Sequence, residues 1–80
     1  MLVILVGERS KAASVIEEIT KKERVVLHVD VKSAEYMEYL GRLLLQVPGV
    51  VVITVDREVF EALPLPLRNR SIVIDVDALD

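Results

Sequence analysis

Four short apolar runs alternate with longer segments in which apolar residues recur at helical spacing. The runs are rich in β-branched residues and cover residues 2–6, 25–29, 50–55 and 72–76. Nearly continuous runs of this kind are typical of strands buried on both faces, which occur in parallel sheets covered by helices. The pattern therefore predicts a small, mainly parallel four-stranded sheet with helices on both faces.

Three amphipathic segments predict the connecting helices. Ser10–Lys22 and Ser33–Gln46 each begin with a serine suited to a helix N-cap, and Pro48 and Gly49 end the second segment. Arg57–Leu63 is long enough for a short helix, which the following segment, Pro64-Leu65-Pro66, cannot continue. The predicted order is β-α-β-α-β-α-β, and the fold class is α/β.

Composition narrows the class of protein. The 80 residues form a single predicted domain, residues 1–80, and a 4% aromatic content makes the core aliphatic. The absence of cysteine fits a reducing compartment, so we expect a cytoplasmic protein, and the Val-rich, charge-rich composition suits a thermophile. A net charge of −3 disfavours broad nucleic-acid binding, although a local contact is compatible with it. No apolar stretch approaches the roughly 20 residues of a membrane span.

The turn after the first predicted strand has some of the features of a phosphate-binding loop. Gly7 follows the strand directly, and the pattern G-x-x-x-x-G-K-[ST] places its last residue on Ser14. Its second glycine falls on Ala12 and its lysine on Ala13, so the side chain that contacts the β- and γ-phosphates is missing. The candidate phosphate contacts are Gly7, Ser10, Lys11 and Ser14. The alternative is an ordinary tight turn from strand to helix.

Later segments extend this similarity. The strand that ends at Asp30 resembles a Walker B strand, with Val31 in place of the usual glutamate, and Asp56 stands where a sensor asparagine would be. Residues 63–71, Leu-Pro-Leu-Pro-Leu-Arg-Asn-Arg-Ser, resemble the segment Leu-Pro-x-x-Leu-Arg-Ser-Arg-Cys of clamp-loader ATPases. The chain thus resembles a reduced AAA+ core of the P-loop class that lacks the second strand, its helix and the lid domain.

This resemblance implies both a strand order and a process. Once the family's second strand is removed, its order places our first strand between the third and the fourth and leaves the second at an edge. The alanine, valine and aspartate at positions 13, 31 and 56 imply no ATPase activity and no bound cofactor. The implied role is a non-catalytic accessory subunit in DNA replication or repair. A small nucleotide- or anion-binding regulator is the alternative.

Charged residues outside these motifs leave two interpretations open. A set of basic residues could gather at the carboxyl edge of the sheet and bind an anion, or could pair with nearby aspartates: Arg9, Lys11, Arg57, Arg68 and Arg70. The aspartates in question either bind a ligand there or end strands and cap helices: Asp30, Asp56, Asp75, Asp77 and Asp80. His28 is the sole histidine and predicts a core or sheet-edge position rather than a metal site.

The second strand suggests how a partner would bind. Val25–Val29 at a sheet edge would expose unpaired backbone groups along an apolar strand, which only Arg24 and His28 interrupt. Either a homodimer forms through this edge or another protein covers it. Tyr36 and Tyr39 lie off the stripe of Met37, Leu40 and Leu44 and would extend the contact. The candidate partner-binding residues are Val25, Leu27, Tyr36, Tyr39, Arg68 and Arg70.

Overall fold

Strands and helices alternate along the chain in the computed structural model, which describes residues 1–79. The four strands are β1 (Leu2–Val6), β2 (Val25–Asp30), β3 (Val50–Val55) and β4 (Ile72–Asp75). The four helices are α1 (Arg9–Lys22), α2 (Met37–Gln46), α3 (Arg57–Ala62) and α4 (Leu65–Asn69). A single 3₁₀ turn, Val76–Ala78, follows β4.

All four strands are parallel and lie in the order β2-β3-β1-β4. The predicted placement of the first strand between the third and the fourth is therefore confirmed, and so is the edge position of the second. Residues of β1 pair in register with β3 from Leu2 opposite Val51 to Val6 opposite Val55. Helix α1 covers one face of the sheet, and α2, α3 and α4 cover the other.

Side chains of the central strands divide the core into two layers. Leu2, Ile4 and Val6 point toward α2, α3 and α4, whereas Val3 and Leu5 point toward α1. Every residue of β1 and β3 is buried. Full burial of one large aliphatic side chain stabilises a fold by about 1.5–3 kcal/mol, so this pair of strands is the main source of stability.

Both outer strands depart from the predicted burial. Val26 and Leu27 of β2, and Ile72 and Val73 of β4, are exposed. The prediction of strands buried on both faces is wrong for these two, because an edge strand has one neighbour and the helices cover mainly the sheet centre. A second feature of β2 is a bulge between Val25 and Leu27, at which its register to β3 shifts.

Two helices begin at positions other than those predicted. α1 begins at Arg9, so Ser10 lies inside the helix and the N-cap is Glu8. α2 begins at Met37 rather than Ser33, because the hydroxyl of Ser33 accepts a hydrogen bond from the Glu35 N–H and closes a turn of its own. A serine that caps a helix and a serine that closes a turn have the same local sequence pattern.

Helix α3 ends before the two prolines, as predicted, and a helix that the predicted order lacks begins at them. Pro64 is the N-cap of α4 and Pro66 lies in its first turn. Proline is compatible with a first helical turn because the N–H groups there have no partner within the helix. The prolines therefore separate α3 from a new helix. The last strand ends at Asp75, one residue earlier than predicted, and Val76 is buried in the 3₁₀ turn.

Helix α2 packs against α4 through its only glycine. A Cβ atom on Gly41 would lie 2.8 Å from a methyl carbon of Leu67, which is itself buried. This close approach sets the rotation of α2 about its axis. Met37 and Gly41 are buried, whereas Leu40, predicted to lie on the buried stripe, is 44% exposed.

We expect Gly41→Val to lower the free energy of unfolding by about 1–3 kcal/mol, because its side chain would overlap Leu67 in a packed core. Urea denaturation followed by circular dichroism measures the change. The control is the double variant Gly41→Val/Leu67→Ala, in which the smaller residue leaves room. Its loss of stability should be clearly smaller than the sum of the two single losses, and additive losses would contradict the contact.

Candidate functional site

The carboxyl ends of the four strands meet at one edge of the sheet, which is where parallel α/β folds bind ligands. Asp30 and Asp75 end β2 and β4, Asp56 follows β3, and Gly7 follows β1. Asp80 lies outside the described residues. The charges at this edge therefore decide what kind of ligand it accepts.

Two ion pairs cross the carboxyl edge. The Arg9 Nε lies 2.7 Å from the Asp30 Oδ1, and the hydroxyl of Thr54 donates to the same oxygen at 2.8 Å. On the far side, an Arg57 guanidinium nitrogen lies 2.8 Å from the Asp75 Oδ2. Each pair is partly exposed and contributes at most about 1 kcal/mol to stability. Within each pair, the arginine and the aspartate neutralise each other's charge. This favours the interpretation in which the basic residues pair with nearby aspartates.

Asp56 and Asp75 also accept hydrogen bonds from the backbone near this edge. The Asp56 Oδ1 accepts from the Val59 N–H at 2.8 Å and caps α3. The Asp75 Oδ1 accepts from the Asp77 N–H at 3.1 Å and caps the 3₁₀ turn. Both aspartates thus end strands and start helical turns, as the second interpretation of the sequence predicts.

The turn between β1 and α1 is occupied by a carboxylate of the chain itself. The Asp77 Oδ1 accepts from the Glu8 N–H at 3.0 Å. Gly7 has φ +133°, and a Cβ there would lie 2.7 Å from the Asp77 carboxylate, so glycine is required for both conformation and space. The first turn of a helix attracts anions, and here Asp77 supplies one.

Only Gly7 and Glu8 separate β1 from α1. Residues 9–13, which would form the phosphate-cradling loop, are helical. The hydroxyl of Ser10 donates to a Glu8 carboxylate oxygen at 2.6 Å, and that of Ser14 to the Ser10 carbonyl at 3.4 Å. The four candidate phosphate contacts are thus close in sequence, but two of their polar side chains bond within the chain.

Arg68 and Arg70 do not join the carboxyl edge. They lie at the end of α4, just before β4 begins at the opposite edge of the sheet. The Arg68 guanidinium carbon lies 5.3 Å from the centre of the Phe60 ring. Arg70 lines a cavity of about 310 Å³ between α2 and α4, together with Glu38 and Arg42. The five basic residues therefore do not gather at one edge, because the topology separates them, and this excludes one of the two interpretations of the sequence.

A second candidate site is apolar and lies along β2. Leu27 is 40% exposed and Val26 is exposed beside it, at the bulge. Val25, the other predicted contact in this strand, is half-buried and packs against the α1 layer of the core. His28 is exposed and lies at the sheet edge, as predicted.

One flank of α2 extends this apolar surface. Tyr36 is 72% exposed, Tyr39 67%, and Leu40 and Leu43 44% each. Their spacing places them on one side of the helix, and Gly41 on the other side contacts α4. The flank therefore faces away from α4, toward the β2 end of the sheet. We name these residues the edge surface: Val26, Leu27, Tyr36, Tyr39, Leu40 and Leu43.

Tyr36 has the only positive φ among the non-glycine residues described, at 68°. Its carbonyl accepts from the N–H groups of Tyr39 and Leu40, which begins α2. A left-handed conformation costs a non-glycine residue about 1–2 kcal/mol. Sequence reasoning identified both tyrosines but missed this conformation and the exposure of Leu40, since both depend on how α4 fixes the helix.

We expect ATP with Mg²⁺ to bind with a dissociation constant weaker than about 1 mM, because Ala13 has no charge and a carboxylate occupies the turn. Isothermal titration calorimetry measures this, with Mg²⁺ alone as the control. A dissociation constant in the low micromolar range would contradict the prediction and restore Lys11 as a candidate phosphate contact.

Asp77→Ala should lower the free energy of unfolding by about 0.5–2 kcal/mol, since the first turn of α1 loses its acceptor. Chemical denaturation gives the value. Asp77→Asn is the matched control, because its amide oxygen can still accept from Glu8 and should retain much of the stability. Equal stability of Asp77→Ala and the parent protein would show that the contact contributes nothing.

Among residues 1–79, no helix is long and apolar enough to cross a membrane. Nor does any group of three or more histidine, cysteine, aspartate or glutamate side chains in this range have the arrangement of a metal site. Comparison of the chain with protein-family models, with curated proteins and with solved structures found no match.

Proposed function

We propose that this chain is a non-catalytic protein-binding module that acts as an accessory subunit of a larger assembly. Its binding surface is the edge surface on β2 and α2. Membership of a DNA replication or repair assembly, and a cytoplasmic location, are part of the proposal and rest on the resemblance and on composition alone.

The observation that carries the proposal is the concentration of exposed apolar side chains along β2 and the adjoining flank of α2. Isolated exposed apolar residues are ordinary, but a contiguous group marks an interaction surface. Tyrosine is favoured in interfaces because its ring offers a large contact area at a low cost in conformational entropy. Tyr36 and Tyr39 are the most exposed large apolar side chains described.

The backbone of β2 supports the same function. An edge strand offers unpaired N–H and C=O groups to which a further strand can add. Proteins usually protect such an edge with charge, proline or a covering element. In β2 the protection consists of His28, Asp30 and the bulge at Val26.

The conformation of Tyr36 is a further argument. The side chain of Tyr36 is 72% exposed, so its packing offsets little of the energetic cost of a φ angle of 68°. Strained backbone often persists where it positions a functional side chain. The conformation of Tyr36 starts α2 and places its ring at the end of the edge surface.

The carboxyl edge of the sheet supports the non-catalytic part of the proposal. Four of the ionised groups there are engaged with each other, in the Arg9–Asp30 and Arg57–Asp75 pairs. The Asp77 carboxylate at the first turn of α1 also argues against the alternative of a nucleotide- or anion-binding regulator, since an incoming anion would have to displace it.

We expect a photo-crosslinking residue in place of Tyr39 to give a discrete protein adduct in the cells that naturally make the protein. The matched control carries the same residue in place of Glu17, which is exposed on α1 on the opposite face of the sheet. Mass spectrometry identifies the adducts. Adducts of equal yield from both positions, or none from position 39, would contradict the proposed surface.

A further inference from the structure

We infer that the occupant of the edge surface is a second copy of this chain, paired through β2 in antiparallel orientation about a two-fold axis at Val29. The inference rests on the proposed function, because it assigns the partner of the same surface. It follows from the free backbone groups of β2, from the bulge and from the positions of its two polar side chains.

The backbone of β2 shows which residues are free to pair. The Val31 N–H donates to the Thr54 carbonyl of β3 at 2.9 Å, and Asp30 lies opposite Thr54. Backbone groups of successive residues in a strand point to alternate sides. Asp30 and His28 therefore direct their N–H and C=O groups away from β3, toward the open edge.

Only a few antiparallel registers join these free groups. In an antiparallel pair, outward-pointing residues lie opposite one another and exchange both hydrogen bonds. An axis at Val29 places His28 of each copy opposite Asp30 of the other and allows four such bonds. An axis at His28 or at Leu27 would bring Val26, the bulged residue, into the ladder. The axis at Val29 avoids the bulge.

Charge complementarity favours the same register. His28 and Asp30 lie on the α1 face of β2, so the imidazole of one copy would contact the carboxylate of the other twice in the dimer. Both recorded contacts of Asp30 use Oδ1, and its side chain is 38% exposed. Its Oδ2 can therefore accept from His28 of the second copy. An axis at His28 would instead place two imidazoles against each other.

The opposite face of β2 contributes apolar contacts. Val29 would lie opposite Val29 of the second copy, and Leu27 opposite Val31. Since α2 covers this face, its flank would approach the corresponding flank across the axis. Tyr36 is the N-cap of α2, and Tyr39 and Leu40 lie in the first half of this helix, which follows the carboxyl end of β2 in the chain. The dimer would extend the sheet from four strands to eight.

Substitution of His28 tests both the dimer and its register. We expect the parent protein to sediment at equilibrium with about twice the 9.0 kDa chain mass. His28→Asp places two carboxylates opposite each other at both pairs and should raise the dimer dissociation constant about tenfold or more. His28→Lys, the matched control, keeps a donor that can contact the Asp30 carboxylate and should stay within about threefold of the parent.

Two further measurements make the test specific. Circular dichroism should show that both variants fold, since His28 is exposed. Amide hydrogen exchange by NMR should be slow for His28 and Asp30 in the parent dimer and fast in His28→Asp. Equal effects of the aspartate and lysine variants would overturn the register and with it the inference, as would species larger than a dimer.

The outcome also separates this inference from the proposed function. A parent protein that stays monomeric at high concentration, while position 39 crosslinks to a different protein, would overturn the second copy as occupant and leave the binding module intact. A monomeric parent with no adduct at position 39 would overturn both. A dimer with the expected contrast between aspartate and lysine supports the second copy as occupant and the edge surface as the binding surface.

Discussion

The pairing of β1 with β3 is the interaction on which the rest of this structure depends. Its side chains are buried on both faces of the sheet, and Thr54 is the only polar residue among them. The hydroxyl of Thr54 is buried yet bonded to Asp30, so its burial leaves no polar group unsatisfied. Helix α1 packs on one face of this pair, and the other helices pack on the opposite face. The position of every helix is therefore set relative to β1 and β3.

A chain of this size cannot cover a four-stranded sheet completely. The helices bury the central pair and leave β2 and β4 partly open, so apolar side chains such as Leu27 and Val73 remain exposed. The two edges differ in what adjoins them. Beside β2, the flank of α2 adds two tyrosines and two leucines to the exposed apolar area. This apolar area beside β2 is the surface on which the proposed partner would bind.

At the carboxyl edge, where parallel α/β folds commonly bind ligands, charged side chains connect elements of the fold. Asp77 reaches back from the end of the chain to the first turn of α1, and Gly7 leaves room for its carboxylate. Arg9 and Arg57 each link the start of a helix to the end of a strand. These contacts join elements that are far apart in sequence. The two arginines, which could otherwise attract an anion, thus bind aspartates of the same chain.

The sequence by itself determined the four strands and the fold class, because unbroken β-branched runs between amphipathic segments are compatible with few arrangements other than a covered parallel sheet. It also indicated that β2 lies at a sheet edge and that Tyr36 and Tyr39 lie off the main apolar stripe of α2. The tertiary structure decided the features that no local sequence pattern determines. Ser33 closes a turn instead of capping α2, Pro64 starts α4, and the contact of Gly41 with Leu67 rotates α2 until Leu40 faces solvent. The bulge at Val26 and the separation of Arg70 from Arg9 likewise follow from long-range pairing, which depends on residues distant in sequence.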